Sequence, residues 1–229
     1  MNDSRRRSFL YENGLSIFFG LILLAALAGQ AFAGLHVFNN DAAAHGSGEI
    51  SIWRYVTSSH YAARVMENWQ SEYLQFTLFI FGTIWLLQRG SPESKELGKE
   101  GRESDRDQLL GEHAAQRSPR WARVSGLRRF VFSNSLLIVM TAIWIGSWLA
   151  QSVAGRGEYN SEQLSHFEDP VSYLAYLGTS DFWERTLQNW QSEFLAVGSM
   201  VILSIYLRQR GSPESKPVGA PHEATGVEG

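Results

Sequence analysis

Four apolar blocks separated by polar and charged stretches set out this chain. The first, Leu15 to Gly34, has roughly the twenty residues that cross ~30 Å of hydrocarbon as a helix rising ~1.5 Å per residue. A polar loop over residues 35–58 follows, and Ser58 or Ser59 stands where an N-cap would open a long helix. The first part of that helix, His60 to Gln70, is polar with Tyr61, Val65 and Trp69 at helical spacing, and is expected at the membrane surface. Its second part, Tyr73 to Leu87, is almost wholly apolar and is expected to span. Arg89 reaches to the far headgroups, Gly90 supplies a C-terminal cap and Pro92 prevents continuation. Residues 96–127 are rich in Glu, Arg, Asp, Gly and Gln and read as a solvated linker. Two more apolar blocks, at about 134–155 and 194–207, repeat the plan, with a loop over 156–179 and a surface helix opening at Thr179 or Ser180.

The plan repeats because the sequence does. Asn68-Trp69-Gln70-Ser71-Glu72 returns letter for letter as Asn189-Trp190-Gln191-Ser192-Glu193, and Gln88-Arg89-Gly90-Ser91-Pro92-Glu93-Ser94-Lys95 returns as residues 209–216. Both lie at an offset of 121 residues, and the copies align without a gap from Arg7 to Lys95. A long repeat at one offset is a duplicated folding unit. It also decides the reading of the first block. Arg5, Arg6 and Arg7, an apolar run and Ala31-Phe32-Ala33 have the form of a secretory signal, and Arg6-Arg7-Ser8-Phe9-Leu10 that of a twin-arginine export motif. The same pattern recurs mid-chain as Arg128-Arg129-Phe130 and the run Leu136 to Leu149, where no signal peptide stands. The first block is therefore read as a retained membrane helix.

The expected organisation is a tail at 1–14, a first membrane repeat at 15–95, the charged linker at 96–127, a second repeat at 128–216 and a disordered tail at 217–229. Lys and Arg set the orientation: sixteen lie in the two tails and the linker, and four in the two remaining loops. Both termini and the linker are thus expected in the cytoplasm. Each unit crosses out and back, so the repeats are parallel-oriented about a pseudo-twofold axis along the membrane normal, not inverted. The fold class is all-α and integral to the membrane. It has four transmembrane helices as two tandem repeats, each with an extracytoplasmic loop and a surface helix leading into its second span.

Composition narrows the chemistry. Mean hydropathy is slightly negative only because charges lie between the apolar blocks. The absence of cysteine excludes disulfides, zinc–thiolate sites and thiol nucleophiles. A net charge of −3 gives no reason to expect a nucleic-acid partner.

The paired Asn-Trp-Gln-Ser-Glu and Gln-Arg-Gly-Ser-Pro-Glu-Ser-Lys phrases resemble those of a family of small bacterial integral membrane proteins with a domain of unknown function. The resemblance covers nearly the whole chain. It implies a bacterial inner-membrane, multi-pass protein, and it implies no biochemistry.

Candidate sites come from comparing the two units. The spans have drifted and the flanking phrases have not, which points to constraint at the membrane boundaries or to gene conversion. The first candidate is a polar interfacial cluster of Gln30, Asn68, Gln70 and Glu72 with Gln151, Asn189, Gln191 and Glu193. Glu72 lies seventeen residues from Arg89, or ~26 Å along a helix, at the outer edge of the hydrocarbon. Gln30 lies equally far from Asn13. The cluster reads either as a polar site between the repeats or as an interfacial fastening, with Trp69, Arg89, Trp190 and Arg210 as anchors. Glu72 is expected to approach Glu193 or Gln30, with the two carboxylates raising one another's pKa. The second candidate, Asp41-x-x-x-His45 matched by Glu162-x-x-x-His166, has an acid and an imidazole at metal-ligand spacing, or is a chance pairing in a solvated loop. The third is packing: Ala25, Gly29 and Ala33, matched by Gly146, Ala150 and Ala154, form a small-residue stripe suited to close helix contact. Arg64 and Arg185 recur and read as ion-paired or as headgroup contacts.

No nucleophile–base set or cofactor motif stands out, so neither enzyme activity nor a cofactor is expected. The expected role is a membrane scaffold or interaction protein. Its partners would be the bilayer and either a second copy of the chain or another membrane protein. The alternative is a small transporter or channel, which the absence of mid-membrane charge and of proline-broken spans argues against.

Overall fold

A computed structural model describes residues 9–229; Arg5–Arg7 and the start of the twin-arginine motif fall outside the described residues. The regular structure of the described residues is helical, with no strand among them. In chain order the helices are α1 (Phe9–Glu12), α2 (Gly14–Ala44), α3 (Ile52–Val56), α4 (Ser59–Trp85), α5 (Leu127–Ser133), α6 (Ser135–Ser165), α7 (Tyr173–Leu177) and α8 (Ser180–Tyr206). Single 3-10 turns stand at Gly111–His113 and Arg120–Ala122. The bounds of α2, α3 and α4 return as those of α6, α7 and α8, each 121 residues later. Among the described residues two helices, α2 and α6, are long and apolar enough to cross a membrane.

Helix starts follow capping chemistry. Ser58 Oγ accepts from the Tyr61 N–H (3.3 Å) ahead of α4, and Thr179 Oγ1 accepts from the Phe182 N–H (3.2 Å) ahead of α8. Ser51 and Ser172 cap the short helices α3 and α7 in the same way, each satisfying an N–H that the first helical turn leaves open.

Helix ends differ from expectation. Helices α2 and α6 run on through residues 35–44 and 156–165, which hydropathy assigns to loops. A polar stretch without a breaker continues a helix already under way, since each added residue gains a backbone bond without a new nucleation cost. The first unit stops at a Schellman turn: Ser47 N–H donates to Ala42 O (2.7 Å) and Gly46 N–H to Ala43 O (3.1 Å), with Gly46 at φ +71°. Helix α6 ends in the same turn with Phe167 at the left-handed position, φ +60°. Helices α4 and α8 instead stop early, at Trp85 and Tyr206. Gly90 therefore caps no helix. It takes the third position of a tight turn with φ +84°, closed by Ser91 N–H donating to Gln88 O (3.1 Å).

The repeated octapeptide is a folded loop. Gln88 N–H donates to Ser94 Oγ (2.8 Å), and Gln209 N–H to Ser215 Oγ (2.9 Å). Lys95 Nζ then donates to Gly101 O (2.7 Å) and pairs with Glu103. Lys216, buried, donates to the carbonyls of Gly90 (2.6 Å), His222 (2.8 Å) and Ala224 (3.2 Å). The segment 217–229, which composition assigns to disorder, is tied back further: Gly90 N–H donates to Thr225 Oγ1 (2.8 Å), and Gly226 N–H to Ser91 O (3.0 Å). In the linker, Gly101 N–H donates to Ile84 O (2.7 Å) and Arg129 pairs with Asp105 (3.2 Å).

The chain divides into two compact units, Met1–Arg64 with Ala154–Val171, and Val65–Val153 with Ser172–Gly229. The first is centred on buried Tyr55, whose ring meets Phe38 and Tyr61 (centroids 5.8 and 5.6 Å). A Cβ on Gly34 would lie 2.3 Å from its hydroxyl, so α2 approaches Tyr55 through that glycine. The small-residue stripe does not serve this purpose: Gly29 and Gly146 have nothing within 4 Å of a would-be Cβ, and Ala25, Ala33 and Ala150 are exposed. The second unit is centred on Trp148, whose ring meets Phe182 (6.2 Å), Trp183 (6.3 Å) and Trp190 (6.1 Å).

Phe167 is 99 % exposed and gains little packing for its left-handed backbone. Phe167→Gly is expected to stabilise the protein by about 0.5–1 kcal/mol, and Gly46→Ala to destabilise it by a similar amount, both read by thermal unfolding in mild detergent. Equal melting temperatures for wild type and both variants would remove the left-handed strain from the account.

Candidate functional site

Within the second unit, α4 and α8 are joined by a ladder of polar rungs. Arg185 Nη1 meets Glu67 Oε1 (3.2 Å) while its Nε donates to Asp181 Oδ1 (3.0 Å). Trp190 Nε1 donates to Gln70 Oε1 (2.8 Å), and Ser71 Oγ donates to Glu193 Oε1 (3.3 Å). The rungs advance together, 67 with 185, 70 with 190 and 71 with 193, so the two helices run parallel here. Gln70 is fully buried and Glu67 and Ser71 are buried beside it. In such a seam a neutral hydrogen bond is worth about 0.5–1.5 kcal/mol net, and a deserted partner costs about 1–3 kcal/mol.

Helix α6 brings Trp148 against this seam, and with it several polar atoms that have no protein partner. They are the Nε1 atoms of Trp144 and Trp148, Nε2 of Gln70, Oγ1 of Thr186 and both amide atoms of Gln151. Gln151 is 1 % exposed and Thr186 fully buried. Helical spacing places them near one another. Thr186 lies between Phe182 and Trp190 on α8, both of which meet the Trp148 ring, and Gln151 lies one turn beyond Trp148 on α6. Buried amides and hydroxyls of this kind ordinarily hold ordered water or a ligand.

The expected polar cluster is only partly assembled. Gln70 and Glu193 belong to the seam, and Gln151 lies buried on α6 one turn beyond Trp148. Glu72 is exposed, and its charge acts with burial, the larger cause, to raise the Glu193 carboxyl above the usual range; Ser71's hydrogen bond opposes both. Glu193 itself precedes the apolar run that begins at Phe194. Asn189 turns back to donate to Arg185 O (2.8 Å), and Asn68 and Gln191 are exposed. Gln30 is half-buried on α2, in the other unit. Trp69 is 37 % exposed, and Arg89 and Arg210 sit exposed on the octapeptide turns.

The recurring arginines are ion-paired. Arg64 Nη2 meets Glu158 Oε1 (3.3 Å), which also faces His60 Nε2 (3.3 Å). Tyr55, beside them, and Tyr176, which donates to Asp181 Oδ2 (3.3 Å), are buried, and burial is the first cause holding both phenols above their ordinary pKa. Sequence reasoning missed these partners. The signal was present for two of them: Tyr55/Tyr176 and His60/Asp181 stand at the repeat offset, as the arginines themselves do. Glu67 and Glu158 have no acidic counterpart and left none.

The Asp/Glu–His pairs end helices. Asp41 lies in the last turn of α2 and His45 caps it, with Nδ1 2.9 Å from the Asp41 carbonyl and 3.6 Å from its carboxylate. His166 N–H donates to Glu162 O (3.1 Å) in the matching turn. Among the described residues no group of three or more His, Cys, Asp or Glu side chains is placed to hold a metal.

A family model described as a domain of unknown function (DUF6766) matches residues 6–227. No curated protein and no solved structure matches the chain.

The two tryptophans of the identical pentapeptides are expected to differ in weight. Trp190→Phe leaves Gln70 Oε1 buried without its donor and should cost about 1–3 kcal/mol. Trp69→Phe, at an exposed position, should stay within about 0.5 kcal/mol. Thermal unfolding of both variants checks this, and equal losses would mean that the Trp190–Gln70 rung carries no special load.

Proposed function

The chain belongs to that family of unknown function, and from its own geometry we propose that it is an integral membrane protein of scaffold or interaction type rather than an enzyme. In this reading α2, α4, α6 and α8 all span a bacterial inner membrane as two parallel repeats, with both termini and the linker cytoplasmic. One observation carries it. Helix α6 is 31 residues long, apolar, mid-chain and mostly unburied, with Leu136, Val139, Ile145, Leu149 and Val153 exposed. A signal sequence would lie at the chain start and the core helix of a soluble protein would be covered, whereas a spanning helix meets lipid with these side chains. The parallel ladder supports spans of one direction in α4 and α8.

A small transporter is the second reading, and Gln151 favours it. A buried amide with neither atom paired is the group expected beside a hydrated path.

The cysteine-free chain suits labelling in intact cells. Cysteines at Ser47 and Ser161, both exposed, should react with an impermeant maleimide from outside, and one at Gln116 only after lysis. The reverse pattern, or loss of the protein from membranes at alkaline pH, contradicts the proposal. In liposomes holding the purified protein, the scaffold reading expects no proton or cation flux. Flux that disappears in a folded Glu72→Gln/Glu193→Gln variant would replace it with the transporter.

A further inference from the structure

Below the ladder a cleft of about 310 Å³ opens between α4 and α8, with both walls in the second unit. That volume is at the lower end of the range for small-molecule sites. Phe79 and Gly82 on one helix and Phe194, Val197 and Val201 on the other give it apolar walls. Gly82 faces open space, since a Cβ there would meet only Leu86, at 3.8 Å. The mouth has a different chemistry: Gln88, Ser91 and Glu93 of the octapeptide loop close it. Burial, then the Glu214 carboxylate and its hydrogen bond with Glu93, then the Glu228 carboxylate raise the Glu93 carboxyl above the usual range, so carboxyl groups are crowded at this point. The neighbouring lysines are committed elsewhere, Lys95 to Glu103 and Gly101 O, and Lys216 to the carbonyls around it. Arg89 stands exposed on the same turn.

An apolar slot whose mouth crowds carboxyl groups, with an exposed arginine on the same turn, matches an amphiphile whose head carries a cation and a phosphate together. We propose that the cleft holds one acyl chain of a phospholipid with a primary ammonium head, of the phosphatidylethanolamine class. The ammonium sits at Glu93 and Glu214 and the phosphate sits toward Arg89. A purely anionic lipid would meet the carboxylates unfavourably, and a fatty acid would bring a fourth. The inference rests on the membrane reading, which places the loop at the inner headgroup level.

The test uses the full chain, extracted in mild detergent from membranes containing both ethanolamine and glycerol phospholipids, with retained lipid identified and counted by native mass spectrometry. About one ethanolamine phospholipid per chain is expected. Gly82→Leu, which fills the slot, should reduce retention at least about tenfold, and Val201→Phe should do so from the opposite wall if the first variant does not fold. Glu93→Gln should leave the slot intact and lower the preference for the ammonium head. Retention undiminished in a folded slot-filling variant overturns the proposal. So does preference for the anionic lipid, or a wild type that resists alkaline extraction yet keeps no lipid. A chain that alkaline washing strips from the membrane overturns the membrane reading first, and the cleft proposal with it.

Discussion

Burying glutamine, serine and glutamate side chains between helices imposes a pairing constraint that much of the second unit answers to. Once Gln70 is out of reach of water, its carbonyl needs a donor, and Trp190 supplies one at 2.8 Å. That bond sets how close α4 and α8 come, and the flanking rungs at Glu67–Arg185 and Ser71–Glu193 set their direction. Trp190 also meets the Trp148 ring, so the same side chain connects the polar ladder to the aromatic cluster of α6. Buried polar contacts of this kind are costly to leave unmade and modest in net gain. Their main effect is to select one register among the many that apolar helix faces would accept.

Identical pentapeptides take unequal roles here. Gln70 is buried and bonded while Gln191 is exposed, and Trp190 bridges to the partner helix while Trp69 is more than a third exposed. The octapeptides diverge in a similar way. Lys95 engages one nearby carbonyl and Glu103, whereas Lys216 is buried among the carbonyls of its own tail and of Gly90. Duplicated segments that began alike now serve one fold from two different environments, with the bonds of each set by what lies across from it.

Helix starts were legible in the sequence because capping is local: Ser58 and Thr179 act within three residues of themselves. Helix ends were less so. Hydropathy falls at Gly34 and Gly155, yet the backbone has no reason to stop there, and the true stops are the turn at Gly46 and its counterpart at Phe167. Gly90 and Pro92 looked like a stop and are parts of a loop that begins after the helix has ended. Of the residues in the ladder, repetition in the sequence pointed to Gln70 and Glu193 and not to Glu67 or Asp181. Which member of each identical Trp-Gln pair turns inward, Gln70 in one and Trp190 in the other, could not be read from residues that are the same in both.

The central claim is that α4 and α8 lie parallel and in one register, fixed by buried polar rungs. Cysteine pairs bridged by a short bifunctional maleimide in native membranes address it directly, because the chain has no cysteine of its own. Cysteines replacing Ser71 and Glu193 stand at a rung and should be bridged within one chain. Cysteines replacing Ser71 and Ser199 are displaced by six residues, roughly 9 Å along the helix, and should be bridged in much lower yield. Bridging of the second pair equal to or exceeding that of the first would contradict the account.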